Sequence, residues 1–79
     1  MNHMSKSASK HLVVCVDNDG YPASLETRKI YVAYRDPSAE KNGFLRVVDE
    51  SGDDYLYPKN FFRPIALPQT LKKAVLAAE

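Results

Sequence analysis

Apolar positions in this chain come in short runs separated by turn-forming residues. His11 to Val16 (HLVVCV) is apolar and β-branched, which predicts a strand. It stops at Asp17-Asn18-Asp19-Gly20, a run of turn formers ending in Asp-Gly. Tyr21 to Thr27 (YPASLET) reads as an irregular loop, because Pro22 bars regular ladder pairing. Arg28 to Arg35 (RKIYVAYR) alternates. Ile30, Val32 and Tyr34 share one face, and Tyr31, Ala33 and Arg35 share the other. Asp36 to Gly43 (DPSAEKNG) fits one helical turn or a loop, with Asp36 as cap, Pro37 at the first helical position and Gly43 as the stop.

Phe44 to Glu50 (FLRVVDE) and Asp53 to Tyr57 (DDYLY) are two further strand-like runs, separated by Ser51-Gly52. A two-residue loop with Gly predicts a tight hairpin. Register then follows by counting: Val48 faces Tyr55, Val47 faces Leu56, and Arg46 faces Tyr57. In that register Leu45, Val47 and Leu56 make the core face, and Arg46, Val48, Tyr55 and Tyr57 the other. A loop longer by one residue flips the assignment. After Pro58, residues Asn60 to Ile65 predict a short turn and a last strand. Pro68 opens a helix over about 68–78, whose Leu71, Ala74, Val75 and Ala78 fall on one stripe. Residues 1–10 (MNHMSKSASK) have no apolar periodicity and are expected to be a disordered tail, and the His3-Met4 pair leaves open whether Met1–His3 is native. The rest, residues 11–79, is read as one domain.

Composition narrows the class. Seventy-nine residues allow one domain and exclude the large catalytic folds. No apolar run approaches the ~20 residues a membrane span requires. Eleven Lys and Arg against ten Asp and Glu leave a net charge of +1, which argues against a strongly electrostatic nucleic-acid binder. The single cysteine, Cys15, cannot make an internal disulfide, and Met1 to Lys10 carries no apolar signal region. A cytoplasmic monomer is the expectation.

The stretch Tyr57-Pro58-Lys59-Asn60-Phe61-Phe62 resembles the Pro-Ser-Asn-Tyr-Val stretch that ends the fourth strand of SH3 domains. Pro58 stands at that proline and Asn60 at that asparagine; Lys59, Phe61 and Phe62 replace the serine, tyrosine and valine. The spacing from Phe44 through the hairpin is similar to the SH3 stretch that starts at its binding tryptophan. Asp17 to Thr27 is the counterpart of the acidic loop between the first two strands. The resemblance covers roughly residues 12–66 and implies an all-β, SH3-like five-stranded barrel (about 11–66) with a short C-terminal helix. The chain is also similar to small uncharacterised bacterial proteins with SH3-like barrels. It has no Trp, so Phe44 takes the place of the proline-gripping ring, and Phe61 brings no hydroxyl.

Candidate chemistry is sparse. His11 and Cys15 are separated on one strand by roughly 13 Å, against a hydrogen-bond reach of about 3 Å. With Gly20 at the sixth position of a calcium loop, the first position is a thiol, Cys15, which argues for a plain turn. Asp49, Glu50, Asp53 and Asp54 gather at the hairpin tip, as a solvated end or a weak cation or basic-partner site. No zinc spacing, phosphate loop or catalytic set occurs, so neither an enzyme nor a cofactor or metal is expected. Phe44, Phe62 and one of Tyr31 or Tyr34 are assigned to the core. Tyr21, Tyr55, Tyr57 and Phe61, with Pro58, line one surface or pack partly buried at strand edges. The expected function is a small non-enzymatic binding module for a protein or peptide, with a ligand surface around Tyr21, Phe44, Tyr57, Pro58 and Phe61. The alternative is a nucleic-acid-binding module using Arg46, Lys59 and Arg63 beside the same rings.

Overall fold

The computed structural model describes residues 10–66. Each predicted apolar run in that range is a strand: β1 (Lys10–Cys15), β2 (Ile30–Tyr34), β3 (Phe44–Val48), β4 (Asp54–Pro58) and β5 (Phe62–Pro64). One helical turn, α1 (Pro37–Lys41), links β2 to β3, and a 3-10 turn (Lys59–Phe61) links β4 to β5. Asp36 caps α1 by accepting from the Ala39 N–H at 3.1 Å, with Pro37 in its first turn, as the sequence predicts. Lys10, read as tail, opens β1. The expected tail over residues 1–9 and the expected helix over about 68–78 lie outside the described residues.

All pairings are antiparallel, and the strand order is β4-β3-β2-β1-β5. Among the described residues the sheet is not closed: β4 and β5 are its edges, whereas the sequence led to a closed barrel. Both edges end in proline, Pro58 and Pro64, and proline has no N–H to give a closing ladder.

The hairpin register differs from the expected one. Leu45 pairs with Tyr57, Arg46 with Leu56, Val47 with Tyr55 and Val48 with Asp54. Asp49 therefore faces Asp53, and the loop is Glu50-Ser51-Gly52, one residue longer than expected. Its cause is local. Asp49 Oδ1 accepts from the Ser51 N–H at 2.9 Å and from the Ser51 hydroxyl at 2.6 Å. The Gly52 N–H then bonds the Asp49 carbonyl at 3.0 Å, and Gly52 takes a φ of 89°. This is an Asx-braced turn followed by a left-handed residue, the usual three-residue hairpin loop. A two-residue loop would have put the left-handed conformation on Ser51, which costs a residue with a Cβ roughly 1–2 kcal/mol. One residue of slip exchanges the faces of β4. Tyr57 is in the core, and Leu56, expected there, is on the opposite face and 37% exposed.

The core face carries Val13 and Cys15 of β1, Tyr31 and Ala33 of β2, Leu45 and Val47 of β3, Tyr57 of β4 and Phe62 of β5. Leu25 from the loop between β1 and β2, and Phe61 from the 3-10 turn, complete it. On the opposite face Leu12 and Val32 are buried as well. Phe44, assigned to the core, is on that opposite face and 42% exposed, because alternation turns it away from Leu45. At the far end of β1, Arg28 and Lys29 together oppose Cys15: the Arg28 N–H bonds the Cys15 carbonyl at 2.7 Å, and the Cys15 N–H bonds the Lys29 carbonyl at 2.9 Å. Two residues facing one make a β-bulge, and Arg28 holds the left-handed φ of 68° that it needs. No helix among the described residues is long and apolar enough to cross a membrane.

Candidate functional site

An aromatic group gathers where the β1–β2 loop meets β4. The loop is braced before any ring is placed. The Tyr21 N–H bonds the Asn18 carbonyl at 2.8 Å, the Leu25 N–H bonds the Tyr21 carbonyl at 3.0 Å, and the Asn18 amide bonds the Leu25 carbonyl at 2.9 Å. Its start is tied to the 3-10 turn through Val16 N–H and the Phe61 carbonyl at 2.7 Å. Its end is tied to the hairpin through Glu50 N–H and the Ser24 carbonyl at 3.0 Å.

Held in this way, the Tyr21 ring meets Tyr57 edge-on, with centroids 4.9 Å apart and planes at 89°. It also stands 6.1 Å from Phe61. Tyr55, two residues before Tyr57 on the same strand face, lies 5.4 Å from it. These distances and tilts are the favoured ones for aromatic pairs. Tyr57 is 1% exposed and Phe61 is buried, whereas Tyr21 and Tyr55 are 36% and 58% exposed. The buried rings thus form a floor, and the two exposed tyrosines present the surface.

Three of the five residues expected at a ligand surface, Tyr21, Tyr57 and Phe61, are brought together. Pro58 follows Tyr57, half-buried, and starts the 3-10 turn. Phe44 is not brought to them: it is paired with Pro58 in the ladder, on the face away from Tyr57. Tyr55 belongs to the group as well, beyond the five residues expected at the ligand surface. Its spacing of two from Tyr57 was the signal that placed it on the same face.

The hairpin carboxylates have structural partners. Asp49 accepts from the Tyr57 hydroxyl at 2.5 Å. Burial opposes its charge, but the Ser51 and Tyr57 hydroxyls outweigh that and hold its carboxyl below the usual range. Burial, with Asp49 as second cause, pushes the Tyr57 phenol up to about 12. Glu50 accepts from Lys29 at 2.6 Å and from the Tyr31 hydroxyl, and these bonds lower its carboxyl pKa. The Tyr31 phenol, which also accepts from the Glu26 N–H at 2.8 Å, is pushed up, first by burial and then by Glu50. The acidic tip is therefore used to fasten the β1–β2 loop and the floor of the aromatic group. Nothing in the sequence pattern singled out Asp49 for that task.

Of the basic residues nearby, Arg46 is held by Asp36 at 2.9 Å and Asp54 at 3.4 Å. Arg63 donates to the carbonyls of Asn60 and Phe62 at 3.2 and 3.0 Å. Lys59 is exposed. A separate cleft of about 190 Å³ lies between β1, β3 and α1, lined by His11, Arg35, Glu40 and Leu45 among others. It holds none of the tyrosines and is below the usual ~300–1,000 Å³ of small-molecule sites. Among the described residues no group of three His, Cys, Asp or Glu is placed to hold a metal ion. Comparison of the chain with protein-family models, with curated proteins and with solved structures finds no match in any of the three.

Proposed function

We propose that this chain is a small non-enzymatic binding module for a protein or peptide, built on an SH3-like arrangement of strands. One observation carries the reading: two exposed tyrosines, Tyr21 and Tyr55, flank a buried aromatic floor at a braced loop. Tyrosine offers a large, stiff contact area with a polar end, which suits protein recognition. In support of the SH3-like arrangement, β1 pairs with both β2 and β5, and a long loop after β1 leans on the end of β4. The nucleic-acid alternative is less supported, because the Arg46 charge is taken up by Asp36 and Asp54. A cytoplasmic setting fits the single, buried, unpaired cysteine.

The test is a nuclear magnetic resonance titration with partners recovered from lysate, on wild type and on Tyr21→Ala and Tyr55→Ala. Shift changes centred on Tyr21, Tyr55 and Tyr57 are expected. Each variant should weaken binding by roughly 1–3 kcal/mol while keeping the fold. Shifts confined to α1 or β5 would refute the surface. Binding of single-stranded oligonucleotide that weakens steeply with salt would replace this reading by the nucleic-acid one.

A further inference from the structure

The hydrogen bonds at the two ends of β4 fix which of its backbone groups are used. The Asp49 N–H bonds the Asp53 carbonyl at 3.1 Å, and the Lys59 N–H bonds the Gly43 carbonyl at 2.9 Å. In an antiparallel ladder the residues that exchange bonds alternate. Asp53, Tyr55, Tyr57 and Lys59 therefore turn their backbone groups toward β3. Asp54 and Leu56 turn N–H and C=O outward, along an edge that no other described strand covers. Pro58, with no N–H, ends that row.

Natural sheets blunt their edges with short strands, proline and charge. The β5 edge follows that rule: it has three residues, and they include Pro64 and the exposed Arg63. The β4 edge has five residues and shows an apolar side chain on each face, Tyr55 at 58% and Leu56 at 37% exposure. At its hairpin end stand the exposed carboxylates of Asp53 and Asp54, the latter 3.4 Å from the Arg46 guanidinium that Asp36 also shares, and the exposed Lys59 follows at the other end. One guanidinium shared among these carboxylates leaves the hairpin end negative, which opposes an acidic strand and favours a basic one there.

We propose that the β4 edge is a strand-docking site for an extended, basic segment of a partner protein. The segment pairs with the outward N–H and C=O groups of Asp54 and Leu56. One of its faces lays an apolar side chain against Tyr55. The other sets an apolar side chain opposite Leu56 and a Lys or Arg beside Asp54. Main-chain bonds supply affinity, and the alternating side chains supply selection. A second copy of this chain is a poorer occupant. Two β4 strands paired antiparallel about Tyr55 set each Asp54 beside the other copy's Leu56, and so short an edge falls below the ~1,200 Å² of a stable interface. This inference rests on the peptide-binding reading above and names how the partner is held.

The probe is an end-blocked, lysine-flanked peptide centred on Lys-Val-Val, which sets Lys beside Asp54 and Val against Tyr55 and Leu56, added to the full chain and followed by amide shifts and hydrogen exchange. Exchange at Asp54 and Leu56 N–H should slow at least about tenfold at saturation. Methylating the peptide's backbone nitrogens on one edge, and replacing its lysines by glutamates, should each abolish the effect. Asp54→Asn, which removes the charge without setting a cation against Arg46, should weaken it and leave the fold intact. Shifts at Tyr21 and Tyr55 without protection at Asp54 and Leu56 would overturn the edge and keep the aromatic surface. Failure of any protection at millimolar peptide would also overturn it, with the lysate titration then judging the aromatic surface independently. Protection that depends on protein concentration alone would assign the edge to a second copy instead.

Discussion

Tyr57 carries its ring into the core and its hydroxyl to Asp49, so one side chain joins the sheet, the hairpin and the aromatic floor. Replacing it by Ala removes a buried ring, a change that costs about 3–5 kcal/mol. A domain of this size has a margin of roughly the same few kcal/mol. Tyr57→Ala is therefore expected to be largely unfolded at room temperature, read as loss of dispersed amide shifts. A folded Tyr57→Ala with only weakened binding would return Tyr57 to the ligand surface. Its phenol also sets a pH dependence. The folded value, about 12, lies above the ~10 of an unfolded tyrosine. Its contribution is complete below about pH 10 and is lost as the pH rises toward 12. Urea midpoints should fall across that window in wild type. They should fall less in Tyr57→Phe, though still measurably, because the Tyr31 phenol is raised in the same sense.

At the scale of elements, the β1–β2 connection contains the one residue other than glycine with positive φ among those described, Arg28. The bulge requires a left-handed residue, and an exposed arginine pays roughly 1–2 kcal/mol to adopt that conformation. Glycine adopts it freely but loses more entropy on folding, by roughly 0.5–1 kcal/mol. Arg28→Gly should thus stabilise the protein by up to about 1.5 kcal/mol, seen as a higher melting temperature. A lower one would mean that the arginine side chain contributes contacts that outweigh the strain. The strands around this bulge were legible because β-branched runs and turn formers alternate in the chain. The hairpin register was not, because a Gly between two strand-like runs signals a tight loop without fixing its length, and the cost at Ser51 that rules out the two-residue form is only roughly 1–2 kcal/mol. The Asx turn at Asp49 and the position of Gly52 decided that length.

At the scale of the whole molecule, Cys15 is an internal reporter. It is fully buried at the junction of β1, β2 and β5, and burial raises its thiol pKa. The thiolate is the reactive form, so labelling requires the sheet to open. Disulfide-reagent labelling should be slowed by a factor of ~10³ or more relative to the denatured chain. It should also rise with urea in step with global unfolding, and fast labelling of the folded protein would show that β5 detaches on its own. The sequence by itself determined which segments are strands, that Asp36 caps whatever turn follows it, and that tyrosines crowd the end of β4. Those properties follow from local periodicity, capping and turn chemistry. The tertiary structure decided which side of β4 is inside, so that Tyr57 became floor and Tyr55 surface, and sent Phe44 to the opposite face. It also left the sheet open between two proline-ended edges and turned the acidic tip into fastenings for the β1–β2 loop. These outcomes depend on strand register and on contacts between residues far apart in the chain. A period of two specifies alternation along a strand, and only pairing with a neighbour says which alternate is buried.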